Sequence, residues 1–359
     1  MKGSIVTRSV KDGSKRYLAV WRTPSGKQRW KTFQRRKDAE KFLITTVRTV
    51  HDGTYSEVRP MLMYDVFNGW LTHLETQENL GHIKHSTSRG NRKLMERYLR
   101  PVFEEHRSDQ LTAEAVNTWI NALAKRVAQK DLAPKTYNHI ITLMKAILKW
   151  GRRSDQRYLR HDPMEHVERL PKQQTERDVL EPHELWQLLK AAEQRPPADV
   201  ILKVAALSGL RRGELFGLQW GDVQRDQDGG GRLFIRRSIV LGRVTTPKTP
   251  GSYRVVDIPQ ILVEELLLYR TAYPPQSEWI FPNKNGTWQD GDNWSKRVFL
   301  PLVQGIGLRR IGLHVLRHGY VSLLISQGAD IKYISRQVGH STIQMTLDVY
   351  GHLFKETSR

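Results

Sequence analysis

Over the first 50 residues the apolar positions come in short alternating runs. SIVTRSV, RYLAVWRT and QRWKTFQ are β-branched or aromatic and are separated by the turn formers KDGSK and PSGK, a pattern that predicts a three-stranded antiparallel meander. In RRKDAEKFLITTVRTVHDG the period lengthens: Ala39, Phe42, Leu43, Thr46 and Val47 share one helical stripe that stops at Gly53. From residue 61 to about 165 the period is helical throughout. Four helices are expected: MYDVFNGWLTHLETQ; the stretch from Thr87 to Tyr98; AEAVNTWINALAKRVAQK, with Val116, Trp119, Ile120, Leu123 and Val127 in line; and PKTYNHIITLMKAILKWG, opened by Pro134 and closed by Gly151. Ile140, Ile141, Met144, Ile147 and Leu148 of the last helix read as core.

The stretch LPKQQTERDVLEP, residues 170 to 182, is polar, carries a proline near each end and has no apolar period, which marks a linker. Beyond it helix and strand patterns mix. EPHELWQLLKAAEQ and DVILKVAALSG predict helices, and GRLFIRRSIVLGRV with YRVVDIP predicts a β-ribbon. GLHVLRHGYVSLLISQG predicts a helix anchored by Leu316, Leu323, Leu324 and Ile325 and closed by Gly328, although its first turn carries His314, Arg317 and His318. In VGHSTIQMTLDVYGHLFK, Ser341 with Gln344 has the spacing of a capping box that starts a helix after Gly339-His340. The fold class is therefore α+β and multidomain, with a small basic N-terminal module over residues 1–56, an all-helical domain over 61–168 and a mixed α/β domain over 178–359.

Charge changes this picture more than composition does. The chain carries 58 Lys+Arg against 37 Asp+Glu, a net of +21, and 14 of those cations against 4 acids fall in residues 1–55, a net of +10. Such a balance is the footprint of a polyanionic partner, with nucleic acid the leading candidate. Arg22, Lys27, Arg29 and Lys31 sit near the turn of the expected meander, where strands can enter a DNA major groove. Lys135, Lys145, Arg152 and Arg153 recur at positions expected to be exposed in the helical domain, as in a DNA clamp or an ordinary solvated face. The absence of cysteine excludes disulfides, zinc thiolates and a cysteine nucleophile. No run reaches the roughly 18 apolar residues of a membrane span, and MKGSIVTRSVKDGSKRY has no apolar signal core, so a cytoplasmic location is expected.

The candidate chemistry lies beyond residue 200. In SGLRRGELFGLQWGDV a glycine turn leads to Arg211 at a helix start, suited to a phosphate through backbone N–H groups and the guanidinium fork, or to an ion pair with Glu214. Lys248, between two prolines in TTPKTPGSYRVVDIP, is placed at a ribbon tip from which an ammonium group can reach a leaving oxygen. His314 and Arg317, three apart, share a face of the next helix near its N-terminus, where an anion is favoured. Tyr350 lies near the far end of the last helix; as a nucleophile it needs nearby cations, whereas Tyr320 and Tyr333 lie in no matching context.

In this order the boxes SGLRRGEL, the ribbon lysine, HVLRH, GH and TLDVYGH resemble the tyrosine recombinase, or phage integrase, family over about residues 178 to 356. Ser208 stands where threonine is usual in that family. The resemblance implies an arm-type DNA-binding module, a helical core-binding domain and a catalytic domain. It also implies a site-specific recombinase that cuts and rejoins double-stranded attachment sites of a phage or mobile element as a homotetramer, together with DNA-bending or excision accessory proteins, in the cytoplasm of a bacterial host and associated with its nucleoid. By the same resemblance Tyr350 attacks the phosphodiester to give a 3′-phosphotyrosine, Arg211 and Arg317 neutralise the phosphoryl oxygens, His340 donates a hydrogen bond, and Lys248 protonates the leaving 5′-oxygen. His314 assists proton transfer from the tyrosine or binds the phosphate. Neither a metal nor a cofactor is implied. A nicking-closing topoisomerase shares this chemistry, and a non-enzymatic DNA-binding regulator shares the basic surfaces.

Overall fold

The computed structural model describes residues 3–10, 13–24, 26–52, 61–153, 158–159, 161–171, 178–245 and 253–357, with side chains as far as Tyr350. The chain divides into two compact units, Met1–Gln173 and Gln174–Arg359. The architecture is α+β.

In the first unit β1 (Ser4–Ser9), β2 (Lys15–Arg22) and β3 (Gln28–Phe33) form an antiparallel meander in sequence order. Helix α1 (Arg36–His51) covers one face of it, because Phe42 packs its ring against Trp21 and Phe33 at centroid distances of 5.4 and 5.2 Å. The expected stop, Gly53, lies outside the described residues.

The helical part comprises α2 (Met63–Asn79), α3 (His85–Leu94), α4 (Arg100–Phe103), α5 (Ala113–Ala128) and α6 (Pro134–Gly151). The helix expected from Thr87 to Tyr98 runs on through a wide π-type turn, Met95–Leu99, into α4. Pro101 follows that turn and has no N–H to donate to the α-helical ladder, and the wider turn delivers Met95, Tyr98 and Leu99 to the core. Val116, Trp119 and Leu123 of α5 meet Ile140, Ile141, Met144, Ile147 and Leu148 of α6 in that core, all of them buried.

The second unit is built around α8 (Ala198–Ser208), which is apolar on most sides and buried along most of its length. It is preceded by α7 (Pro182–Ala192) and followed by the single turn α9 (Arg212–Leu215). Strands β4 (Val223–Arg225), β5 (Gly231–Ile235) and, further along, β8 (Arg254–Ile258) make an antiparallel sheet in the order β4-β5-β8, while β6 (Ser238–Val240) and β7 (Arg243–Thr245) form a separate hairpin. The predicted ribbon thus breaks between β5 and β6. Arg236 and Arg237 occupy the break, and both reach the Asp222 carboxylate, 1% exposed, at 3.2 and 2.5 Å. Burying that acid requires cations, and supplying them takes the chain out of the sheet.

Helices α10 (Gln260–Ala272), α11 (Gly291–Trp294) and α12 (Leu300–Gly305) fill the stretch before α13 (His314–Ser326), α14 (Ile331–Val338) and α15 (Ile343–Thr357). The last three helices share a small core of Tyr320, Val321, Ile325, Ile334, Val338 and Tyr350. The expected capping box at Ser341 gives way to a cap one residue later: the Thr342 hydroxyl accepts from Met345 N–H, and the Ser341 hydroxyl turns to the Met345 sulfur. No helix among the described residues is long and apolar enough to cross a membrane.

Two glycines in this unit provide a test of backbone constraint. Gly209, which ends α8 at φ +60°, has the Tyr320 ring where a Cβ would stand, 2.3 Å away, whereas a Cβ on Gly319 within α13 would meet nothing within 4 Å. Gly209→Ala is expected to destabilise the unit by about 2 kcal/mol and Gly319→Ala to stabilise it by about 0.5–1 kcal/mol, read from urea unfolding midpoints.

Candidate active site

Helix α14 ends at Gly339, in the left-handed conformation at φ +64°. Its last carbonyls have no partners within the helix, and three in succession are taken by three different arginines. Gln337 O accepts from Arg254 Nε at 2.8 Å, Val338 O from an Arg317 terminal nitrogen at 2.5 Å, and Gly339 O from an Arg211 terminal nitrogen at 2.8 Å. Arg317 also donates to Gly209 O at the end of α8, at 2.7 Å. A Cβ at Gly339 would stand 2.9 Å from the Arg254 side chain, so only glycine allows this approach.

One carboxylate organises the cations. Glu214 accepts both terminal nitrogens of Arg254, at 3.0 and 2.9 Å, and also the Arg211 guanidinium and backbone N–H, each at 2.9 Å. Burial alone would raise its pKa, but the hydrogen bonds and charge of Arg254, followed by those of Arg211, prevail and hold it at about 2. Arg317, 3% exposed, is pushed down to about 9 by burial and then by its neighbours Arg211 and Arg254. Three guanidinium groups therefore face one carboxylate, an arrangement that favours an arriving anion.

The remaining groups close around this cluster. Tyr350, 3% exposed, places its hydroxyl against Nδ1 of His318. The His314 ring stands edge-on to His318 at 4.8 Å, one helical turn earlier and exposed. His340 is oriented through Nδ1 by the buried Thr346 hydroxyl at 2.9 Å. The other two tyrosines considered are held in different states. Tyr320 is driven well above its ordinary pKa by burial, while Tyr333 is raised by burial and by Asp257, to which its hydroxyl donates at 3.1 Å. Lys248 lies outside the described residues.

Residues 178–357, half of the chain, match the model of the phage integrase family. The chain belongs to that family. The ICEBs1 integrase of Bacillus subtilis is 30% identical over 254 residues, 66% of this chain and 66% of that protein. A putative prophage phiRv2 integrase of Mycobacterium tuberculosis is 26% identical over 345 residues, 92% of this chain and 86% of that one. The chain spans just under two thirds of the ICEBs1 integrase and 63% and 59% of two Escherichia coli relatives. A lambda integrase dimer bound to a COC' core site has the same fold, at TM-score 0.63 and 15% identity over 98% of this chain and 95% of that one.

Within this phage integrase family chain, Arg254, Gln337, Thr346 and His318 join the site without having been singled out as site residues from sequence. Arg254 carried a signal: it alternates with Val256 and Ile258 on the inward side of β8, where a charge is out of place. His318 follows His314 by four residues, one turn along the same helix.

The basic residues proposed for DNA take several places. On β3, Lys31 lies over the Phe42 ring at 4.9 Å, so strand alternation puts Lys31 and Arg29 on the side of α1. Arg22 shares the opposite, open face with Trp30, which is 64% exposed, and Lys27 is exposed in the connecting turn. Lys135 and Arg153 are exposed. Lys145 donates to Val167 O at 2.6 Å, and Arg152 pairs with Asp162 at 3.2 Å, so both are engaged in holding their own fold.

Glu214→Gln tests the electrostatic arrangement. Because its pKa is depressed from an ordinary 4.5 to about 2, Glu214 contributes stability that is present above 4.5 and lost as pH falls through about 2. The variant should lose on the order of 3 kcal/mol at neutral pH and should lack that part of the acid-induced loss, as measured by urea unfolding across the acid range.

Proposed function

We propose that this protein is a site-specific DNA recombinase, an integrase that cuts and rejoins DNA through a 3′-phosphotyrosine to integrate or excise a phage or mobile element. The observation that carries this reading is the Tyr350 hydroxyl, buried beside a cluster in which three arginines face one carboxylate. The family membership and the relatives named integrases support it.

The reaction begins with Tyr350 attacking a DNA phosphodiester. A bond forms between the phenolic oxygen and phosphorus, and the bond from phosphorus to the 5′-oxygen breaks. Arg211 and Arg317 neutralise the charge that grows on the non-bridging oxygens, and His340 adds a hydrogen bond. Lys248 protonates the departing 5′-oxygen, and His314, at the exposed first turn of α13, binds the phosphate or assists proton transfer from the tyrosine. Rejoining reverses these steps without an external energy source, since the phosphotyrosine retains the phosphodiester bond energy. Arg254 positions Glu214 and the end of α14, and through them Arg211.

The substrates in this reading are double-stranded attachment sites of core and arm types, engaged by a tetramer in the bacterial cytoplasm at the nucleoid, with accessory DNA-bending and excision proteins. Residues 1–56 form the arm-type module, 61–168 the core-binding domain and 178–359 the catalytic domain. The open face of the meander, with Arg22 and Trp30, suits a DNA groove.

A nicked suicide substrate, analysed on a denaturing gel, tests the chemistry. Tyr350→Phe should bind DNA and give no covalent adduct, while Arg211→Lys and Arg317→Lys, which keep charge and lose the planar fork, should slow adduct formation by about 10²-fold or more. A normal adduct with Tyr350→Phe would remove the nucleophile. No adduct with the unaltered protein would favour a DNA-binding regulator, and relaxation without recombinant joints would favour a topoisomerase.

A chain starting near Glu57 tests the domain assignment. It should fold, bind core DNA and form the Tyr350 adduct, yet fail to integrate, with a shallower salt dependence on long DNA of about 0.9 log unit per lost phosphate contact. Equal integration by both forms would make the first 56 residues a dispensable appendage.

A further inference from the structure

Two helices meet at the oxygen that would attack DNA. Tyr350 comes from α15 and His318 from the second turn of α13, and the phenolic oxygen and Nδ1 lie within hydrogen-bonding distance. The rings are 5.8 Å apart at their centroids, and both side chains are buried, at 3% and 8% exposure. The small core that holds Tyr350 is otherwise made of Tyr320, Val321, Ile325, Ile334 and Val338, which fix the ring and leave its oxygen to polar neighbours.

A phenol becomes an effective nucleophile toward phosphorus as its proton departs, so the acceptor of that proton must already touch the oxygen. With the imidazole in its Nε2–H form, Nδ1 accepts from the tyrosine hydroxyl. Arg317 lies in the same field, electrostatically coupled to Tyr350, and favours the charge that develops on the phenolic oxygen. Geometry thus divides the two histidines of α13: His314 is exposed at the first turn, while His318 is inside and against the hydroxyl.

We infer that His318 orients the Tyr350 hydroxyl and takes its proton through Nδ1 as the phenolic oxygen attacks phosphorus. This rests on the assignment of Tyr350 as nucleophile. In the forward step the bond between the phenolic oxygen and phosphorus forms, the phenolic proton moves to Nδ1, the bond between phosphorus and the 5′-oxygen breaks with its electron pair on that oxygen, and the leaving-group acid protonates it. In the reverse step the 5′-hydroxyl attacks and gives its proton back to the deprotonated leaving-group acid, while the His318 imidazolium returns its proton to the departing phenolic oxygen. The charged and titratable groups around the pair are His314 and Arg317 on α13, Arg211 and Arg254 with Glu214 beside Arg317, and His340, tied to Thr346 of α15.

The full-length protein on the nicked suicide substrate provides the test, with noncovalent binding and adduct formation measured separately. His318→Asn places an amide near the position of Nδ1, keeping a hydrogen-bond acceptor and removing the base. It should bind DNA as the unaltered protein does and form adduct about 10²–10⁴-fold more slowly. His318→Ala should be slow as well and should recover at least about tenfold with added imidazole, which a purely structural role would not allow. A substrate with sulfur in place of the bridging 5′-oxygen separates base from acid, because a thiolate leaves without a proton: Lys248→Ala should recover on it and His318→Asn should stay slow. Adduct formation by His318→Asn within about threefold of normal, or its full recovery on the sulfur substrate, would overturn the assignment. Adduct formation by Tyr350→Phe would instead remove the nucleophile, and His318's role with it, and so is read apart from these outcomes.

Discussion

The site depends on the end of one short helix. Three consecutive carbonyls, of Gln337, Val338 and Gly339, face outward from α14, at the negative end of its dipole, and each takes an arginine from a different part of the chain. Arg211 stands at the start of α9, Arg254 opens β8, and Arg317 lies in α13. Glu214 joins two of them from the other side. Three formal positive charges against one carboxylate leave an excess of two. The helix end offsets part of it, on the order of half a charge. What remains is directed, through Arg211 and Arg317, at whatever anion enters. Burial of Arg317, with Arg211 and Arg254 beside it, makes this excess costly, which is the physical sense of its depressed pKa of about 9.

Such an arrangement spreads its partners widely along the chain, which sets how much of it sequence could show. Arg211, Arg317, His314, His340 and Tyr350 lie in short local patterns; the structure ties Arg211, Arg317, His340 and Tyr350 into the site by hydrogen bonds and sets the His314 ring edge-on to His318. Arg254 shows in the sequence only as a charge on the inward side of a strand, because its partners, Glu214 and Gln337, are 40 and 83 residues distant. His318 was visible as a polar residue in an apolar helix, but its meaning depends on a tyrosine 32 positions later. Helical periods in the first unit read well, because the stripes of α5 and α6 bury only side chains of one kind. The broken ribbon did not, because the buried Asp222 that breaks it is an electrostatic demand, with no trace in the alternation of β5 and β6. Lys145 and Arg152 show the same limit from the other direction: a cation on a predicted exposed face can be committed to its own backbone or to a nearby acid.

Environment, more than position, separates the three tyrosines near the arginines. Tyr320 packs against Gly209 and is buried where a phenolate would be poorly solvated, so its proton is held. Tyr333 donates to Asp257, and losing that proton would set two negative charges against each other. Tyr350 alone of the three has its hydroxyl against an imidazole nitrogen, that of His318, while sharing the field of Arg317. Gln337 contributes to this separation. Its side chain exchanges hydrogen bonds with Asp257, at 2.9 and 2.7 Å, while its carbonyl serves Arg254, so the acid that restrains Tyr333 and the arginine cluster meet at one residue of α14. An acidic neighbour retains a phenolic proton and a cationic neighbour lowers the cost of releasing it. The same helix end that gathers the cations thereby gives the three phenols different electrostatic surroundings.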